Sequence, residues 1–188
     1  IGEIIIPSVN LKECKEMNNI NLVSCGGQSS IPILAEWYID LKKKDMNLNY
    51  VEIASTISSK SAGMATRMNI DNYIETTEKA IKKFCKCDAK VILNINPALP
   101  PITMKTSLSA LINDQRGLDI DWIKTTRRAE KKIKQYVPGY EISSLPQMIN
   151  TNRLFTSVVV SGKGDYLPKY SGNLDIITSA AVEVSKYL

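Results

Sequence analysis

Asn21-Leu22-Val23-Ser24-Cys25-Gly26-Gly27-Gln28-Ser29-Ser30-Ile31-Pro32 is the stretch from which the rest of the chain is read. Its polar, glycine-rich start runs into Ile33, Leu34, Trp37, Tyr38 and Leu41, which share one face at helical spacing. A helix is therefore expected over about residues 26–42, with Cys25 at its N-terminus. Residues 49–58 alternate, Val51, Ile53 and Ile57 on one side and Glu52 and Thr56 on the other, as a half-buried strand does. Asn69 or Asp71 offers an N-cap to a helix striped by Ile70, Ile74, Thr77, Ile81 and Phe84.

The second half continues the alternation. The short apolar run 91–95, closed by Asn96-Pro97 and Pro100-Pro101, reads as a buried strand ending in a loop, and 103–112 as a further strand. Residues 121–136 read as a helix with Trp122, Thr126, Ala129, Ile133 and Tyr136 on its apolar face, stopped by Val137-Pro138-Gly139-Tyr140. Strands follow at 141–148 and 154–161, then a last helix with Leu174, Ile177, Ala181, Val184 and Leu188 in register. Some neighbouring strands are joined by stretches too short for a crossover helix, so part of the sheet must be antiparallel. The expected class is α+β: a single mixed, partly antiparallel sheet with helices mainly on one face.

At 188 residues the chain has the length of one domain, and 44% hydrophobic with 23% charged residues is the balance of a protein that folds. No stretch approaches the roughly 18 uninterrupted apolar residues of a membrane span, and Ile1-Gly2-Glu3-Ile4 lacks the basic start of a signal peptide. A cytoplasmic location without membrane attachment is the expectation. The first residue is not Met, which suggests a start within a longer protein. The net charge of +5 is scattered among acidic residues, and two Phe and two Trp offer little for base stacking, so nucleic acid is not an expected partner.

Four cysteines, Cys14, Cys25, Cys85 and Cys87, are too few and too unevenly spaced for a disulfide framework and read as thiols. With no histidine, Ser-His-Asp and Cys-His catalysis are excluded, and no metal site is expected. Cys25 stands out because a helix N-terminus favours thiolate, while Gly26 and Gly27 let backbone N–H groups approach an oxyanion and Gln28 lies one turn on to assist. The alternative, a cysteine that is plain core, stays open on these residues alone. The Ser- and Gly-rich segment 57–67 is either a ligand-binding loop or a polar connection.

Taken in order, Pro7 to Leu11, Asn21 to Pro32, Tyr50-Val51-Glu52-Ile53, Ile57 to Asp71, Asn96-Pro97, Val137 to Tyr140 and Tyr166-Leu167-Pro168 through Asp175 resemble acylating acetaldehyde dehydrogenases. The resemblance runs from end to end but covers only the part of that family C-terminal to its Rossmann domain. In keeping with this, no strand here is followed by Gly-x-Gly-x-x-Gly. It implies one catalytic and dimerisation domain over 1–188, without the nucleotide-binding domain, like the catalytic domain of glyceraldehyde-3-phosphate-dehydrogenase-like enzymes. It implies that Cys25 attacks a short aldehyde, with NAD as cofactor and coenzyme A as acyl acceptor. Ser61, Ala62 and Gly63 would meet the nicotinamide end and Asn173 its carboxamide, while Ile70, Leu93 and Ile95 would line the aldehyde path. A homodimer formed through the exposed sheet face and a 4-hydroxy-2-oxovalerate aldolase are the implied partners. Where the family carries an aspartate thought to activate the cysteine, this chain has Thr106, with Asp114 the nearest carboxylate downstream. A non-catalytic dimerisation module and a non-redox thiol acyltransferase are the alternatives.

Overall fold

A strand buried on one face needs a layer of helices to cover that face, and the sequence supplies them between its strands. The computed structural model describes residues 2–112 and 119–188. Along the chain run β1 (Glu3–Ile4), α1 (Pro7–Asn10), a 3₁₀ turn at Leu11–Glu16, β2 (Ile20–Asn21), α2 (Cys25–Lys42) and β3 (Leu48–Ser58). A second 3₁₀ turn at Ser59–Ser61 leads to α3 (Met64–Met68), α4 (Ile70–Cys85), β4 (Asp88–Asn96) and β5 (Met104–Ile112). Then come α5 (Trp122–Ile133), β6 (Tyr140–Met148), β7 (Arg153–Val160) and α6 (Gly172–Ser185).

The main sheet has the order β4-β3-β5-β7-β6. Only β3 and β4, joined through α4, pair in parallel; β3–β5, β5–β7 and β6–β7 are antiparallel. The expected mixed α+β sheet is thus present, with a separate two-stranded parallel pair, β1–β2, beside it. In β3, Val51, Ile53, Ser55 and Ile57 are buried beneath the helices. On the opposite face Glu52, Lys90, Ile92, Lys105 and Glu141 are exposed, so that side of the sheet is open.

Helix α2 is buried along most of its length because it lies between α4, α5 and α6 and above β3 and β5. Trp37 meets Trp122 of α5 edge-on at 5.9 Å and donates from Nε1 to Thr126 Oγ1 at 2.9 Å. Beside this apolar contact, Glu36 is clasped by Arg128 at 2.5 Å and Lys132 at 2.6 Å, and Asp40 by Arg128 at 2.8 Å. Removing both Arg128 and Lys132 would leave the nearly buried Glu36 charge uncompensated, so this seam fixes the pairing of α2 with α5.

Three expectations are corrected. The run 91–95 is the middle of an edge strand, where only Val91 is buried and Ile92 is 45% exposed, because β4 has one neighbour and its outer face is uncovered. In α6 the buried stripe is Gly172, Ile176, Ala180 and Val184, while Leu174 and Ala181 are exposed and Leu188 lies beyond the end of the helix. The cause is at Gly172, where the helix meets β7 so closely that a Cβ would lie 1.7 Å from the Val160 carbonyl oxygen. Finally, Asn69 precedes α4 without capping it; its amide donates to Ala65 O, closing the unexpected short helix α3.

No helix among the described residues is long and apolar enough to cross a membrane. Gly172→Ala should lower unfolding stability by about 1–3 kcal/mol, since backbone must move to admit the methyl group. Gly63→Ala, where nothing lies within 4 Å of the added atom, is the control and should leave a urea melt within about 0.5 kcal/mol of the parent. Equal melts for the two variants would disprove the close docking of α6.

Candidate active site

The local sequence builds a rigid start for α2. Ser24 is extended (φ −155°, ψ 165°) and its Oγ accepts the Gly27 N–H at 2.9 Å, the arrangement of an N-cap. The same Oγ shares a hydrogen bond of 2.7 Å with Thr77 Oγ1, pinning the helix start to α4. Just before it, Val23 has φ +65°, a conformation β-branched residues rarely adopt, and its N–H is held by Asn21 Oδ1 at 2.7 Å. At Gly26 a Cβ would stand 2.1 Å from Tyr73 Oη and 2.7 Å from Ser55 Oγ, so only glycine lets α2 approach α4 and β3 this closely.

Cys25 is the first residue of α2 and is 9% exposed. Burial pushes its thiol up to about 11, outweighing the hydrogen bonds from Tyr73 and from the backbone N–H groups of Gly26 and Cys25. The expectation of an acidic thiol is therefore not met in this arrangement: the helix end acts on the sulfur as expected, and desolvation is larger. Sγ lies 3.9 Å from Tyr73 Oη.

Cys25 opens into a pocket of about 600 Å³ between the start of α2, Ile57 at the end of β3, the first turns of α4, and α6. Asn173 stands in the same wall, its Nδ2 donating to Ser61 O at 3.0 Å. Its Oδ1 is buried and has no partner among the described residues. A buried acceptor left unpaired costs about 1–3 kcal/mol, so this oxygen is suited to a ligand that brings an N–H or O–H. Through that one amide the structure joins Ser61 to Cys25's pocket; Ala62 follows in the wall of the core, and the exposed Gly63 leads into α3. Leu93 and Ile95 are the strand partners of Ser55 and Ile57, and Ile70 begins α4; none of the three is in the pocket lining.

Gln28 is not brought to the thiol. It is fully buried, and its Nε2 donates to Ile5 O at 3.1 Å and Leu22 O at 2.9 Å, tying α2 to the β1–β2 pair. Thr106 is likewise in the core: its Oγ1 accepts from Ser29 Oγ at 2.9 Å and shares a hydrogen bond of 3.1 Å with Ser55 Oγ. Asp114 lies outside the described residues. Tyr73, in the pocket wall, was not singled out in the sequence, although it falls on the apolar stripe of α4 three residues after Ile70; Ile177, also in the wall, was read there only as part of the last helix's apolar register. A second cavity of about 600 Å³, between α1 and the end of α5, contains none of the expected site residues.

Residues 25–168 match the family model described as "Prokaryotic acetaldehyde dehydrogenase, dimerisation". Over its whole length the chain is 45% identical to an acetaldehyde dehydrogenase of Pectobacterium atrosepticum. It is 40% identical to one of Geobacillus stearothermophilus and 41% to one of Carboxydothermus hydrogenoformans. The chain spans about 62% of the length of each of these relatives. Among solved structures, aspartate semialdehyde dehydrogenase II of Vibrio cholerae, complexed with ASA, superposes with a TM-score of 0.55 at 10% identity. That likeness covers 98% of this chain and 68% of the other, and it bears out the expected catalytic-domain fold.

Burial raises Cys25 from 9.0 to about 11 and Cys87 from 9.0 to about 11, and it raises Cys85 as well. Between these values the unfolded chain has lost thiol protons that the folded chain still binds, so folding stability must fall as pH rises through that window. Urea melts from about pH 8 to pH 11 should show the decline, and Cys25→Ser should make it shallower. An equally steep decline in that variant would show that Cys25 is not a desolvated thiol.

Proposed function

From the premise that the chain belongs to the prokaryotic acetaldehyde dehydrogenase family, we propose that it is the catalytic and dimerisation part of an acylating aldehyde dehydrogenase. The observation that supports the reading is that Cys25 and Asn173, whose buried Oδ1 has no partner among the described residues, line one pocket. A nucleophile and a free acceptor are what a short aldehyde and a carboxamide-bearing cofactor need side by side.

In this reading the Cys25 thiolate attacks the aldehyde carbon, a C–S bond forms, and the carbonyl electron pair moves onto oxygen. The backbone N–H groups of Cys25 and Gly26, which favour the thiolate, would meet that oxyanion. The Gly27 N–H is held by Ser24 and takes no part. NAD, when bound, supplies the hydride acceptor that makes the adduct a thioester. Asn173 fits its carboxamide, because Nδ2 is fixed by Ser61 and Oδ1 is left to accept from an amide N–H. Ser61, Ala62 and Gly63 would flank that end. The thiol of coenzyme A, losing its proton to water, then attacks the thioester carbon, and Cys25 leaves as thiolate.

Leu93, Ile95 and Ile70 would form the apolar approach for the aldehyde, whether from solution or from the aldolase that the resemblance implies. The open sheet face, with Ile92 and Leu145 exposed on its strands, is the surface proposed for the homodimer.

With acetaldehyde, NAD and coenzyme A, the full-length protein should form NADH and acetyl-CoA in equal amounts, and Cys25→Ala should abolish both. Asn173→Ala should raise KM for NAD about tenfold, the value of one hydrogen bond, with a smaller effect on KM for the aldehyde. Acyl exchange without NADH would favour the thiol acyltransferase, and neither product would favour the interaction module.

A further inference from the structure

We propose that Tyr73 is the residue that supports the Cys25 thiolate, a neutral hydroxyl standing at the sulfur in a pocket that offers no charged partner. The proposal rests on reading Cys25 as the nucleophile, and it adds a residue that neither the chain's resemblance nor its family match assigns.

Position comes first. Tyr73 lies in the first turn of α4, with Oη 3.9 Å from Sγ. The contact depends on Gly26, since a Cβ there would lie 2.1 Å from Oη. It is also held from behind. Thr77 Oγ1 donates to the Tyr73 carbonyl at 2.6 Å and shares its hydrogen bond with Ser24 Oγ, so the cap of α2 and the backbone of Tyr73 form one unit. The phenol further bonds Ser55, which is 3.1 Å from Thr106 Oγ1, and Thr106 in turn takes a hydrogen bond from Ser29. From sulfur inward, Tyr73, Ser55, Thr106 and Ser29 are thus a row of hydroxyls with no ionisable group beyond the phenol.

Among the described side chains, Tyr73 is the one whose hydrogen bond to the sulfur is made. From the α2 side the pocket presents Val23 and Ser24, and from β3 Ile57. From α3 and α4 it presents Ala65, Thr66, Asn69 and Asn72, and from α6 Asn173, Leu174, Ile177 and Thr178. Among these described lining residues Cys25 and Tyr73 are the only titratable side chains, and no cation faces the sulfur. Burial holds Tyr73 well above the usual tyrosine range, so it keeps its proton. When the S–H bond breaks, the proton goes to water through the open mouth of the pocket. The Tyr73 O–H stays intact and donates to the sulfur anion, a charge-assisted bond roughly twice as strong as a neutral one.

The test measures iodoacetamide alkylation of Cys25 in the full chain between about pH 7.5 and 10, read by peptide mass spectrometry with Cys85 as internal control. Tyr73→Phe removes the hydroxyl and keeps the ring. The Cys25 rate should fall about tenfold at every pH in that range while the Cys85 rate stays unchanged. Ser55→Ala, which frees the phenol from its inner anchor, should give a smaller fall. If Tyr73 served packing alone, its loss would loosen the pocket and raise the Cys25 rate, so an unchanged or faster rate in Tyr73→Phe overturns the proposal. So does a Cys25 that fails to alkylate in the parent chain. Because neither aldehyde, NAD nor coenzyme A is present, this outcome is independent of the NADH assay that tests the wider reading.

Discussion

The contact of α2 with α4 and β3 at Gly26 is the constraint on which the site depends. A side chain larger than hydrogen there would collide with Tyr73 Oη and Ser55 Oγ, and the helix would have to lift off both elements. That lift would move Cys25 away from Asn173, break the Ser24–Thr77 bond, and unseat the hydroxyls of Ser29 and Thr106. Further along the same helix, the Trp37–Trp122 contact and the ion pairs of Glu36 and Asp40 hold the other end against α5. One buried rod, fixed at both ends, therefore carries Cys25.

Two opposing effects meet at its first residue. A helix N-terminus stabilises a negative charge by roughly 0.3–1 kcal/mol at an exposed position, whereas burial of a charged group shifts pKa values by as much as about 3–5 units. At Cys25 the second wins, and the thiol is pushed up to about 11. Placement at a helix start is thus not sufficient to make a reactive cysteine. A reactive thiol here also needs hydrogen-bond donors for the anion, and those present are the N–H groups of Cys25 and Gly26 and the phenol of Tyr73.

The interior hydroxyls explain how Thr106 is accommodated. Buried polar groups must be paired, and Ser29, Thr106 and Ser55 pair with one another between α2 and the sheet. Threonine at this place completes a neutral network, where a carboxylate would introduce a buried charge. Gln28 plays a comparable role at the other side of α2, holding two backbone carbonyls of the β1–β2 region. Both residues belong to the scaffold that keeps Cys25 in place.

Much of this was legible from local pattern. The alternation of Val51, Ile53 and Ile57 defined β3, the spacing of Ile33, Leu34, Trp37 and Leu41 defined α2, and Cys25 at the helix start drew attention without structural help. These are short-range properties, set by two repeats of side-chain direction, about 2.0 residues in strands and about 3.6 in helices. Docking was not legible. The buried face of α6 was fixed by the approach of Gly172 to Val160, the exposure of Ile92 by the edge position of β4, and the partner of Cys25 by Tyr73 arriving from a helix 48 residues away. Periodicity tells which face of an element is apolar. Which neighbour covers that face, and which single hydroxyl reaches the sulfur, is decided by steric fit between segments distant in sequence, and only the folded chain contains that information.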